Sequence, residues 1–206
     1  MIKFEKDEYL KMGAMVVSKR PELEAIAEKL HQRGYSNLFL TGVGGTTAEF
    51  TSMKKVVENH SSIPVYCVNA AELMLEGHKQ LIRNSIVITG SKSGDTKETV
   101  AVVKWCKERG IETVAITKAE TPLAEIADHV CLIDSSGVEN TYLSFYYILL
   151  KLAELRGEFP DYAQFVSEME HVHEGLVQVK EKFEPVAAKI AKQYHKEEYQ
   201  MWGGSG

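Results

Sequence analysis

The residues best suited to chemistry lie in one run, Thr89-Gly90-Ser91-Lys92-Ser93-Gly94-Asp95-Thr96-Lys97-Glu98-Thr99. It follows a short apolar stretch and leads into a helical pattern. Small hydroxyl residues and glycines at such a junction leave backbone N–H groups exposed at a helix N-terminus. Partial positive charge and unsatisfied donors there suit a phosphate. Ser91, Ser93 and Thr96 can each add a hydroxyl hydrogen bond, and Lys92 is placed to reach an anion. Gly90 and Gly94 permit the turn and the close approach of a ligand. A ligand-free explanation stands beside this one: Asp95 as N-cap with Glu98 three residues on has the form of a capping box. The run is not a Walker A loop, because no glycine–lysine pair precedes a Ser or Thr.

Two more loops carry the same residue types. Gly42-Val43-Gly44-Gly45-Thr46-Thr47 partly mimics GxGxxG, but Thr47 stands where the third glycine belongs. The next predicted strand ends at Asn69 rather than at an acidic residue, so a nicotinamide dinucleotide site is poorly supported. The amides of that loop and the hydroxyls of Thr46 and Thr47 suit a smaller ligand. The third loop, Ser135-Ser136-Gly137-Val138-Glu139-Asn140-Thr141, has Asn140 and Thr141 as possible caps of the helix that follows. His171-Val172-His173-Glu174 has metal-ligand residue types, but imidazoles at i and i+2 of a helix point to different sides, which favours a solvated face. His60, His78 and His195 read as surface residues, and Cys67, Cys106 and Cys131 as inert buried thiols. No Ser-His-Asp order and no pair of carboxylates in a shared loop argues for hydrolysis by these residues alone.

The elements that must position these loops are short. Strands are predicted over 37–41, 64–68, 85–89, 113–117 and 129–133, most of them continuously apolar, as expected of strands covered on both faces. Helices are predicted between them, including 96–109, a short one around 71–75 and another entered at Pro122. The alternation predicts a doubly wound α/β fold, a five-stranded parallel sheet flanked by helices in three layers. Ligands in such sheets bind at the carboxyl ends of strands, so the loops after Thr41, Thr89 and Ile133 are the ones to examine. Two helices broken near Lys19-Arg20 precede the sheet. A strongly apolar helix over 142–156, an amphipathic one over 161–183 and a last one over 185–194 follow it. Residues 199–206 read as a strand entering a glycine loop, echoing 38–45, or as a Gly-Gly-Ser-Gly tail. The expected organisation is N-terminal helices over 1–34, the α/β domain over 35–158, a helical linker over 159–198, and over 199–206 the start of a second such domain or a tail.

Composition narrows the classes. At 206 residues, 44% hydrophobic and 26% charged, the chain can bury a real core. The net charge of −5 argues against a nucleic-acid binder. No apolar run reaches the roughly 18–20 residues of a membrane span. The charged N-terminus has no apolar h-region, so no secretory signal is expected. Three cysteines without CxxC spacing fit a reducing cytoplasm.

On these residues the sequence resembles the sugar isomerase (SIS) family. Ser91-Lys92-Ser93-Gly94-Asp95-Thr96 matches every fixed position of that family's S-x-S-G-x-T phosphosugar signature. Gly44-Gly45-Thr46 and Ser136-Gly137-Val138 occupy the places of its first and third contacts. Within the family, Gly94-Asp95-Thr96-Lys97-Glu98-Thr99 is similar to the G-[ND]-T-P-E-T form of the fructosamine-6-phosphate deglycases, with Lys97 where proline is usual. The resemblance implies the SIS fold and a phosphosugar ligand held by Ser91, Lys92, Ser93 and Thr96, with Gly45, Thr46 and Val138 along the sugar. It implies acid–base chemistry on a phosphorylated ketosamine, with no metal and no organic cofactor. The acid–base residues of tandem-SIS enzymes come largely from a second domain and a neighbouring subunit, so within this chain Glu139 is the nearest carboxylate to test. A homodimer or higher oligomer is implied as well. The rival expectations are a sugar-phosphate sensor without catalysis, an aldose–ketose phosphosugar isomerase and a nucleotide-binding domain.

Overall fold

The computed structural model describes residues 4–135, 137–197 and 199. The chain forms a five-stranded sheet of β1 (Asn37–Gly42), β2 (Val65–Asn69), β3 (Ser85–Ser91), β4 (Glu112–Thr117) and β5 (His129–Leu132), all parallel, in the order β2-β1-β3-β4-β5. The sheet is the one the sequence predicts. Each strand alternates its side chains between two apolar layers. Leu38, Leu40, Ile86, Ile88, Val114 and Ile116 face one layer, and Phe39, Val87 and Ala115 face the other. Burying each large aliphatic side chain contributes about 1.5–3 kcal/mol, so a parallel sheet apolar on both faces is stable only with helices on both.

One face is covered by α1 (Lys6–Ser18), α2 (Arg20–Arg33), α3 (Gly45–His60) and α7 (Val138–Leu155). The other carries α4 (Ala70–Glu76), α5 (Lys97–Glu108) and α6 (Pro122–Ile126). Ten residues of α7 are buried, among them Leu143, Tyr147, Ile148 and Leu152. The chain then continues into α8 (Tyr162–Met169) and α9 (Val172–Tyr194). Cys106 and Cys131 are buried and their thiols are pushed up to about 12 by burial, while Cys67 is half-buried; none is disulfide-bonded.

Three boundaries differ from expectation. The first helix after the sheet begins at Val138, four residues early, because Gly137 at φ 116° turns the chain directly into the helix. Asn140 therefore lies inside α7 and caps nothing. The expected break at Pro185 is absent: Pro185 lies within α9, and the break falls at Glu170–His171. Tyr162 and Val166 of α8 are buried in the main core, and at the start of α9 Val172 packs on that core while His173 is buried against Tyr9 and Asn140. The strand expected over 199–206 lies outside the described residues, Tyr199 apart. Among the described residues no helix is long and apolar enough to cross a membrane.

Candidate functional site

The strand order reverses between β1 and β3, and the loops that leave these two strands open a crevice at their carboxyl ends. The β3–α5 loop is built around Ser91. Its buried Oγ accepts the Gly94 N–H at 3.0 Å and shares hydrogen bonds with Thr96 Oγ1 at 3.0 Å and Ser93 Oγ at 3.4 Å. Its carbonyl accepts the Thr117 hydroxyl at 2.7 Å, which ties the loop to β4. Gly94 has φ 71°, and a Cβ there would come within 2.4 Å of the Thr121 side chain. Only glycine fits this turn of the loop.

The capping box expected from Asp95 and Glu98 does not form. Thr96 is the N-cap of α5, and no side chain caps the helix. The first-turn N–H groups thus carry no side-chain acceptor, as an anion site requires.

Across the crevice, Gly44 at φ 58° starts α3, and Gly42 has no side chain to collide with Thr46, whose Cγ2 lies 2.9 Å from where a Cβ would be. Thr46 is thereby folded over the end of β1. The third wall is the start of α7. The N-termini of α3, α5 and α7 converge on this edge, each carrying the partial positive charge of a helix start.

The crevice divides into two hollows that share Thr46, Gly90, Ser91 and Lys92. One, of about 350 Å³, is lined also by Gly45, Glu49, Val138 and Asn140. The other, of about 410 Å³, is lined also by Ser93, Thr96, Thr99, Lys118 and Asp134. The structure thus brings Gly45, Thr46, Ser91, Lys92, Ser93, Thr96 and Val138 to one crevice. Ser136 lies outside the described residues.

Glu139 is not part of that lining. Its carboxylate folds back over Gly137 and accepts the Tyr9 hydroxyl, whose pKa burial and this bond push up to about 12. His171 is exposed and paired with Glu174 at 2.8 Å. His173 departs from the solvated face expected of it: it is buried, and burial lowers its pKa. His60 and His195 are exposed, whereas His78 packs its ring on Phe39 and Tyr66.

Three charged residues of the lining, Lys118, Asp134 and Glu49, are not among the sequence candidates; Asp134 follows Ile133 in one of the loops singled out. Lys118 follows β4 directly, at the carboxyl edge where ligands bind, and that position was its only signal. Glu49 lies in an ordinary-looking helix and gave none.

The fold and the crevice define a doubly wound α/β ligand-binding domain. Residues 29–154 match the SIS domain family, to which the chain belongs. It is 28% identical to a fructosamine deglycase of Bacillus subtilis over 162 residues, 74% of this chain and 49% of that protein. It is 31% identical to a glutamine–fructose-6-phosphate aminotransferase (isomerizing) of Pyrococcus horikoshii over 144 residues, 66% of this chain and 24% of that one. The chain thus spans half or less of the length of these relatives. A solved Bacillus subtilis protein described as a phosphosugar isomerase superposes with a TM-score of 0.79 at 25% identity, over 89% of this chain and 58% of that one. The C-terminal domain of a Francisella tularensis glucosamine-fructose-6-phosphate aminotransferase shares the fold with a TM-score of 0.78 at 14% identity, over 96% of this chain and 61% of that one.

Proposed function

We propose that the chain binds a phosphorylated ketosamine of the fructose–amino-acid 6-phosphate type, as part of an isomerase or deglycase that works by acid–base chemistry. The observation that carries this reading is the hydroxyl cluster of Ser91, Ser93 and Thr96 at the uncapped N-terminus of α5, between Lys92 and Lys118. A phosphate seated there accepts from the exposed Ser93 and the half-buried Thr96. Ser91 already accepts from Gly94 and keeps its own O–H to donate. The sugar then extends past Gly45, Thr46 and Val138 toward the other hollow. The names of the two relatives, a fructosamine deglycase and a fructose-6-phosphate aminotransferase, agree with this substrate class.

The phosphate is remote from the carbons that react. Its clamp supplies orientation and binding energy for a proton transfer that a positioned acid and base suffice to perform. Calorimetry with fructose 6-phosphate tests the clamp. Ser93→Ala and Thr96→Ala each weaken binding by about 1–2 kcal/mol, the size of a lost hydrogen bond to an anion. Unchanged affinity in both variants rejects the reading.

A further inference from the structure

Glu49 stands in the first turns of α3 and lines the smaller hollow together with Thr46, Ser91, Lys92 and Asn140. It is half-buried and has no ion pair or hydrogen bond among the described residues. Burial raises its pKa, and no cation offsets the rise. A carboxylate that is partly desolvated and unpaired costs free energy, so a ligand that pairs it gains what the free protein lacks. The larger hollow is balanced differently. Its carboxylate, Asp134, is exposed and shares the lining with Lys118 and Lys92. In the smaller hollow Lys92, exposed on the wall the two hollows share, is the one cation of the lining among the described residues. A sugar phosphate without positive charge therefore leaves Glu49 uncompensated. Among the described residues no three His, Cys, Asp or Glu side chains are grouped to hold a metal ion, so Glu49 faces the hollow as a single carboxylate, the counter-ion for one organic cation.

We propose that Glu49 is a specificity residue that reads the amine of the ligand: its carboxylate pairs with the ammonium nitrogen of a phosphorylated ketosamine and so separates an aminated sugar phosphate from a plain one. The inference rests on the phosphosugar reading, which puts the phosphate in the larger hollow. The ketosamine nitrogen is an alkylamine, protonated at neutral pH, and it sits at the end of the six-carbon chain opposite the phosphate. A chain that crosses the shared wall of Thr46 and Ser91 brings that nitrogen into the smaller hollow, where Glu49 stands. There the ammonium donates to the carboxylate in a charge-assisted hydrogen bond, strengthened by the partial exclusion of water. The hydroxyl of fructose 6-phosphate at the same place offers one neutral hydrogen bond and leaves the charge unpaired. Glu49 acts here in recognition: no bond is made or broken and no proton need leave the amine.

Two unreactive open-chain probes isolate the charge. Sorbitol 6-phosphate and 1-amino-1-deoxysorbitol 6-phosphate differ only in a terminal hydroxyl or ammonium, and neither has a carbonyl. Calorimetry at neutral pH gives the ratio of their affinities for the full chain and for its variants. The wild-type chain is expected to prefer the amine by about tenfold or more, the size of a hydrogen bond between charged groups. Glu49→Gln, which keeps the shape and removes the charge, is expected to bring the ratio to within about twofold of one. Glu49→Asp, which keeps the charge and shortens the reach, should give a ratio between the two. A wild-type ratio near one overturns the assignment. So does a Glu49→Gln variant that binds both probes more weakly but keeps the preference, since Glu49 then only shapes the hollow. A preference lost in Asp134→Asn and kept in Glu49→Gln overturns it as well. Absence of binding of either probe by the wild-type chain overturns instead the phosphosugar reading beneath it.

Discussion

The buried His173 imidazole donates its Nε2 proton to Asn140 Oδ1 at 2.7 Å, joining α9 to the first turn of α7 beside the crevice. The ring packs edge-on to Tyr9 at 5.4 Å and lies so close to Gly13 that a Cβ there would meet it at 2.4 Å. Burial lowers the His173 pKa, partly offset by the nearby charges of Glu139 and Glu174. Since the folded value lies below the unfolded one, the unfolded chain binds the extra proton, and stability rises with pH in that range. The stability His173 contributes is complete above its unfolded pKa of about 6.5 and declines as pH falls below it. Urea denaturation of wild type and His173→Gln at several pH values between about 7 and 5 is expected to show a steeper loss for wild type. Parallel curves would contradict the buried neutral imidazole.

Gly94 is predicted to be the least replaceable position of the β3–α5 loop. Its positive φ and its contact with Thr121 both exclude a side chain. Gly94→Ala should lower stability by about 2 kcal/mol or more, from left-handed backbone strain and the displaced Thr121 together. It should also weaken fructose 6-phosphate binding, because the Ser91–Gly94 bond that shapes the loop is disturbed. Thermal denaturation and calorimetry of the variant check both effects.

Lys118 is half-buried and has no ion-pair partner among the described residues. As a cation beside Ser93 and Thr96 it should contribute a charge-assisted contact to the phosphate. Lys118→Ala is expected to weaken binding of inorganic phosphate by about 1.5 kcal/mol and to reduce the salt dependence of that binding. Titrations at low and high ionic strength measure both.

Most of the fold was legible because a parallel sheet covered on both faces writes its strands as short apolar runs, as in Leu38-Phe39-Leu40 and Ile86-Val87-Ile88. The β3 loop was legible for a different reason: its chemistry and its local helix start lie in one contiguous stretch. Helix ends were less so. The start of α7 depends on the unusual backbone of Gly137, and the break between α8 and α9 falls at Glu170–His171 rather than at the proline; neither leaves a local periodicity. Glu49 and Lys118 were invisible because their place at the site depends on strand order. Only the β2-β1-β3-β4-β5 arrangement brings the start of α3 and the end of β4 to either side of the β3 loop. Glu139 illustrates the converse: adjacency to a glycine loop in sequence placed it near the crevice, but Tyr9, distant in sequence, holds its carboxylate.

The central claim is that the Ser91–Thr96 turn holds the phosphate of a sugar phosphate. Its most direct test is a titration of isotope-labelled chain with fructose 6-phosphate, followed through backbone amide resonances. The account predicts saturable shifts concentrated at Lys92, Ser93, Gly94, Asp95 and Thr96, matched by inorganic phosphate, with further shifts at Gly45, Thr46 and Val138 only for the sugar phosphate. Amides in that turn left unmoved at saturating ligand, or shifts gathered elsewhere on the molecule, would contradict it.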